Sequence, residues 1–338
     1  MCTRVGLARD VDALAEETGF SGGVRVDEGD DVKVASAYGF AHRAYRVPNA
    51  VGTQFAIASG TKGLTAVAVV SLVESGILDL ATTARSLLAD DLPLIRDDVA
   101  VEHLLSHRSG IGDYFDEEAH HDVTDYVMPV PVHQLATTED YLAVLDGHET
   151  KFTPDERFAY SNSGYVVLAL IAERATGVPF PELVRRRVSE PAGMRDTAFL
   201  RSDALPGRAA VGYVTVGGAL RTNVFHLPVV GSGDGGIYST LDDIHSFWHA
   251  FFAGDLVGPR WVDEMTRPRS DVPGTAKRYG LGFWLDQATD AVLLEGSDAG
   301  VSFRTAHAPG RGITYTVVSN TSDGAWPIAR LLGARLSG

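Results

Sequence analysis

The chain has 338 residues and a mass of 36.1 kDa, enough for one large or two modest domains with real hydrophobic cores. A hydrophobic content of 45% excludes wholesale disorder, and 44 acidic against 29 basic residues, a net charge of −15, argues against nucleic-acid or anionic-membrane partners. The single cysteine, Cys2, excludes an internal disulfide and a cysteine-based zinc site. Residues Met1 to Phe20 carry Arg4, Arg9, Asp10, Asp12, Glu16 and Glu17 with no uninterrupted apolar core, which predicts a cytoplasmic location. The longest apolar run, Ala66 to Val70 and on past Ser71 to Val73, is too short to span a bilayer.

In chain order, Val5 to Thr18 read as an amphipathic helix broken by Gly19, Gly22 and Gly23. Val24-Arg25-Val26 and Val32-Lys33-Val34 alternate around a polar, glycine-containing turn, the pattern of a β-hairpin. From Ser59 to Glu74 the pattern is helical, with Gly76 as the expected C-terminal stop. Helical windows follow at 139–146, 164–176 and 180–189. The end reverts to strands at Leu281–Leu285, Ala291–Leu294, Val301–Ala308 and Ile313–Val318, before a last helix from Trp326 to Leu336. Strands at both ends and helices between predict an α+β fold: one antiparallel sheet built from both chain ends, flanked by helices and carrying a large, mainly helical insertion. The expected layout is a single domain over 1–338, with 1–65 and 226–338 forming the sheet part and 66–225 the helical part.

The strongest local feature is Ser59-Gly60-Thr61-Lys62 at the head of the most hydrophobic helix. The i, i+3 spacing puts Ser59 and Lys62 one turn apart on one face. An alcohol needs a base beside it to attack a carbonyl, and a lysine serves once burial or nearby positive potential lowers its pKa. The bland reading is a helix cap and a solvated charge. A second element, Tyr160-Ser161-Asn162, lies between a proline-led turn at Thr153-Pro154-Asp155 and a helix. A phenol lowered by a neighbouring ammonium shuttles protons to and from a serine oxygen, and an amide both holds a lysine and donates to a substrate carbonyl. The bland alternatives are a packed tyrosine and a capping asparagine.

With these residues the sequence resembles the serine β-lactamase and penicillin-binding-protein superfamily. The resemblance is to its class-C-like branch of D-alanyl-D-alanine carboxypeptidases, esterases and aminopeptidases. Phe55 to Lys62 is similar to the nucleophile segment, His103 to Ile111 to a Leu-Leu-x-His-x-Ser-Gly stretch, and Phe158 to Tyr165 to the Tyr-x-Asn segment. Pro191 to Met194, Gly235 to Thr240 and Tyr279 to Gly282 also have counterparts, so the resemblance runs over most of the chain. It implies a β-lactamase-like fold and catalysis by Ser59, Lys62 and Tyr160, with either of the last two as the base. Asn162, Gly296 and Ser297, flanked by Leu294 and Glu295, form the implied substrate-binding set, the Ser59 and Ser297 N–H groups holding the oxyanion.

The third family element, Lys or His, then any residue, then Gly, is broken: Leu294-Glu295-Gly296 carries leucine at the cation position. Leucine cannot bind a substrate carboxylate, and the lost contact is worth roughly ten- to a hundred-fold. Arg304 and Lys277 are the candidates to supply charge from elsewhere. Other constellations are weaker. Gly19-Phe20-Ser21-Gly22-Gly23 follows a helix and precedes a strand, the reverse of a nucleophile elbow. His103 with His107, and His245 with His249, have i, i+4 spacing without the glutamate of a zinc motif, and Asp116 to Asp122 reads as a solvated loop. Gly231 to Gly236 lacks the lysine of a phosphate loop and reads as a turn or close backbone approach.

The expectation is therefore a serine hydrolase working through an acyl-enzyme on a small ester, amide or peptide, carboxylesterase-like. The alternatives are a D-amino-acid peptidase, D-alanyl-D-alanine carboxypeptidase or β-lactamase, and an acyltransferase or non-catalytic binding protein. No cofactor and no metal are expected. The stretch Tyr114 to Val132 is expected to form the substrate-facing rim.

Overall fold

The protein is described by a computed structural model over residues 4–117 and 125–336. Helix α1 (Arg4–Thr18) leads into strands β1 (Gly22–Glu28) and β2 (Asp31–Tyr38), which pair antiparallel. Gly29 turns between them at φ +58°, a conformation that costs glycine little. The other strands come from the far end of the chain: β3 (Ser270–Asp271), β4 (Lys277–Tyr279), β5 (Trp284–Asp286), β6 (Val292–Asp298), β7 (Val301–Ala308) and β8 (Ile313–Ser319). The eight form one antiparallel sheet in the order β3-β4-β5-β6-β7-β8-β1-β2, so the chain ends meet where β8 pairs with β1. The expected α+β class is what is found.

Alternation along the strands separates two cores. Val24, Val26, Leu293, Ala306, Tyr315 and Val317 face α1 and the final helix α5 (Ala325–Leu336), packing with Leu7, Val11, Ile328 and Leu332. Val292, Leu294, Phe303 and Val318 face the opposite way. There they meet α2 (Thr61–Glu74) and α4 (Leu241–Ala253), with Leu64, Phe247 and Trp248 among their neighbours. Helix α3 (Asn162–Thr176) packs beside α2, and both are buried over most of their circumference, as their nearly unbroken apolar sequences require.

Two expected elements are shorter or more broken than their patterns. The strand read over Leu281–Leu285 begins only at Trp284, because Gly282 turns at φ +92° and its N–H donates to Leu105 O. The window 180–189 starts as an α-helix over Phe180–Val184 and widens into a π-turn over Arg185–Ser189. The middle of the chain also holds an unforeseen hairpin, Tyr213–Val216 with Ala219–Thr222. No helix among the described residues is long and apolar enough to cross a membrane.

Candidate active site

Ser59 sits in a 3₁₀ turn, Ala58–Gly60, and the α-helix starts after it at Thr61, one residue pair later than the sequence pattern suggests. The preceding Ala58 is at φ +45°, an unusual conformation for a residue with a Cβ. That local strain swings the chain out of the short strand Phe55–Ala56 and leaves Ser59 partly exposed at the head of α2. Lys62, one turn on, is 2% exposed. Its Nζ lies 2.9 Å from Ser59 Oγ, 2.8 Å from Asn162 Oδ1 and 2.8 Å from the Asp234 carbonyl oxygen. Three acceptors satisfy an ammonium. With one proton gone, two N–H groups still serve Asn162 and Asp234, and the lone pair is left for the serine proton.

Tyr160 closes the group from the other side. Its ring lies 4.9 Å from Lys62 Nζ, and the Ser59 side chain is near enough to the hydroxyl to favour its ionised form slightly. The ring packs against His107, tilted with centroids 4.4 Å apart, and against Trp284, stacked at 5.7 Å. The segment behind it is fixed by four hydrogen bonds. His107 Nδ1 accepts from Ser161 N at 3.0 Å, Ser161 Oγ caps α3 by accepting from Gly164 N, and the Asp113 carboxylate accepts from Asn162 N and Ser163 N. His107 thus orients the Tyr-x-Asn segment through a hydrogen bond. Its sequence neighbour His103 does a different job, accepting from Ala100 N at a helix start, and His245 lies against Asp27 of β1.

Burial lowers the Lys62 pKa, opposed by the carboxylates of Asp234, Glu117, Asp113 and Asp298. Burial raises the Tyr160 phenol well above its ordinary value, and the Glu117 charge pushes it the same way. A phenol lowered by the nearby ammonium, the expectation from sequence, is therefore reversed: desolvation outweighs the cation. From the sequence alone Asp234 reads only as part of a turn. Its carbonyl holds Lys62, and its carboxylate accepts from the Tyr114 hydroxyl. The glycines around it permit the close approach: a Cβ on Gly233 would stand 2.1 Å from Tyr165 O, and one on Gly231 2.1 Å from Gly235 O.

Strand β6 brings its edge against the nucleophile turn. A Cβ on Gly296 would lie 2.3 Å from Ile57 O and 2.8 Å from Ser59 N, so only glycine permits this contact. Ser297, the next residue, lines the same cleft as Ser59 and Asn162. Leu294 and Glu295 are not brought to that cleft. Leu294 is 2% exposed and packs on Gly63 of α2, inside the core. Glu295 faces the other side of the sheet, where Lys277 and Arg304 both pair with it. These two cations are therefore engaged at Glu295, away from the nucleophile. Tyr114, Phe115, Glu117, Tyr126 and Met128 form part of the cleft wall, while Glu118 to Thr124 of the expected rim, with most of the acidic and histidine loop, lie outside the described residues.

This geometry coincides with a family relationship. Residues 7–336 match the family model described as Beta-lactamase. The chain belongs to that family. The penicillin-binding protein of Bacillus halodurans, a solved structure, superposes with a TM-score of 0.90 at 34% identity, covering 96% of this chain and 99% of that one. The esterase EstB of Burkholderia gladioli is 29% identical over 73% of this chain and 69% of its own length. A D-aminopeptidase of Cereibacter sphaeroides is 29% identical over 98% of this chain and 63% of its own. The chain spans 62% and 63% of the length of two further curated relatives.

Proposed function

We propose that the protein is a serine hydrolase that forms an acyl-enzyme on ester or amide carbonyls, carboxylesterase-like in preferring substrates without a terminal carboxylate. The observation that carries the reading is Lys62 Nζ at 2.9 Å from Ser59 Oγ, with the ring of Tyr160 4.9 Å from the same amine. Ser59 Oγ attacks the carbonyl carbon and its proton passes to Lys62, the group whose pKa burial lowers. Tyr160, held in its protonated form, relays a proton to the leaving group and regains it from Lys62. The N–H groups of Ser59 and Ser297 hold the oxyanion, and water then attacks the acyl carbon with Lys62 again as base. Metal and cofactor have no step in this scheme.

The preference against carboxylates rests on Leu294, whose burial against Gly63 leaves no cation at that point of β6. The relationship to an esterase supports the same direction. The test is release of p-nitrophenol from short acyl esters by the purified protein, abolished in Ser59→Ala. Faster turnover of a chromogenic cephalosporin than of those esters would overturn the preference. Ester turnover that survives Ser59→Ala would overturn the mechanism.

A further inference from the structure

The acidic residues of this chain are unevenly spread. Between Asp31 and Glu74, and again between Asp203 and Asp234, the sequence holds six of its 29 lysines and arginines and none of its 44 aspartates and glutamates. The fold brings these two acid-free stretches together. A hairpin from the first, Phe40–His42 with Val47–Pro48, stands beside the hairpin from the second, Tyr213–Val216 with Ala219–Thr222. Arg43 N donates to the Tyr213 hydroxyl at 2.8 Å, and Val211 N donates to Ala41 O at 2.9 Å. Past the second hairpin, Asn223 Nδ2 donates to Ala299 O at 2.8 Å, and His226, Leu227 and Pro228 then line the cleft that holds Ser59. The second stretch therefore runs from the paired hairpins to the active site.

Both apolar and cationic side chains stand out from this face. Of the seven large apolar side chains exposed among the described residues, four belong to the two stretches: Tyr45 at 79%, Val47, Leu220 and Phe225 at 85%. Single exposed apolar side chains need no explanation, but a concentration of them marks a contact surface. The cations beside them are Arg43, Arg46 and Arg221, all exposed, and among the described residues none of the three has an ion pair. Arg43 and Arg46 lie instead 5.8 Å from the rings of Tyr213 and Phe40. The other three cations are spent elsewhere: Lys33 on Glu28 and Asp31, Arg208 on Asp196, and Lys62 in the buried catalytic group.

Arginines around outward aromatic and aliphatic side chains suit a lipid headgroup layer. Tyrosine rings sit at headgroup level, aliphatic groups enter the acyl boundary, and guanidinium groups reach the phosphates. An acidic polymer would account for the arginines but not for four apolar side chains turned to solvent. The chain-wide charge of −15 opposes approach to an anionic surface, but salt screens exposed charges beyond about 8–10 Å, so the groups nearest the surface decide. We infer that this face docks the protein on an anionic lipid surface, with Tyr45, Val47 and Leu220 in the headgroup layer and Arg43, Arg46 and Arg221 on lipid phosphates. The inference goes beyond the hydrolase reading and does not depend on it.

The test is co-sedimentation of the full chain with vesicles of phosphatidylcholine alone and of phosphatidylcholine and phosphatidylglycerol in equal parts. Binding should be about ten-fold or more tighter to the anionic vesicles, and should weaken as salt rises from about 0.1 M to about 1 M. Arg46→Glu with Arg221→Glu should weaken it by about ten-fold or more, since each cation at such a surface is worth roughly five-fold. Tyr45→Ser with Val47→Ser should weaken it by about five-fold or more. All four side chains are exposed, so both double variants should keep the wild-type melt and p-nitrophenyl ester turnover. Ser59→Ala should bind the vesicles as the wild type does, which separates attachment from catalysis. No binding to the anionic vesicles, or an affinity unchanged in either double variant, overturns the inference. Binding to soluble polyglutamate as tight as to the vesicles, and indifferent to Tyr45→Ser with Val47→Ser, identifies an acidic polypeptide as the partner and overturns it too.

Discussion

Replacing Gly296 by alanine tests the juncture on which the site depends. The added Cβ would lie 2.3 Å from Ile57 O, 2.8 Å from Ser59 N and 2.9 Å from Gly60 N. All three are backbone atoms, so no side chain can swing away, and an ordinary contact needs roughly 3.4 Å or more. Relief therefore requires about 1 Å of separation between the edge of β6 and the nucleophile turn. A displacement of that size costs on the order of a hundred-fold in rate, and loss of one oxyanion donor about a hundred- to a thousand-fold. Overpacking of this kind costs about 1–3 kcal/mol of stability, which lowers Tm by several degrees without unfolding the protein at room temperature. The assay is kcat/KM on a p-nitrophenyl ester alongside a thermal melt, with Gly52→Ala as control, since a Cβ there meets nothing within 4 Å. The reasoning predicts a loss of at least a hundred-fold with a folded protein. Activity of Gly296→Ala within three-fold of the wild type would refute it.

Other expectations follow from the same contacts. Asn162→Asp keeps an acceptor for Lys62 but adds negative charge, which favours the ammonium; the acid limb of the kcat/KM profile should move to higher pH, and an unmoved limb would remove Lys62 as the base. Tyr160→Phe should lower kcat by about a hundred- to ten-thousand-fold while changing Tm little, because the ring contacts with His107 and Trp284 remain; a loss below five-fold would deny the phenol a role in proton transfer. Burial raises the Asp298 carboxyl to about 7, from an ordinary value of 3.8. The folded state therefore holds a proton that the unfolded state releases, and stability falls as pH rises from about 4 to about 7. Asp298→Asn removes that penalty, worth at most about 4 kcal/mol above pH 7 and about 1–3 kcal/mol once its partial exposure is allowed for. Its melting temperature should exceed that of the wild type at pH 8 and match it near pH 4; equal melts at both pH values would contradict the burial argument.

The sheet and the paired groups were legible in sequence for different reasons. Val301–Ala308 and Ile313–Ser319 stand out because both faces of a central sheet are buried, so their apolar runs are nearly continuous. Ser59 with Lys62 shows itself because helical spacing is a local property. That Asn162 meets Lys62 across 100 residues is encoded by no local pattern; the chemistry of an amide that can hold an amine only makes the meeting plausible. Leu294 and Glu295 illustrate the converse. Adjacent strand residues point to opposite faces, so at most one of the two faces α2, and which one depends on the register of β6 against β7. The sequence does not mark Asp113, Asp234 and Asp298 as neighbours of Lys62, because acidic residues in loops and at strand ends are usually solvated. Only the tertiary packing turns them inward around Lys62.

The most direct measurement is covalent labelling of the purified protein by a fluorophosphonate, read by intact mass and peptide mapping. The account predicts one adduct per chain on Ser59, absent in Ser59→Ala and formed at least a hundred-fold more slowly in Lys62→Met. Labelling that is missing from the wild type, found on another serine, or indifferent to Lys62 would contradict a nucleophile activated by its lysine.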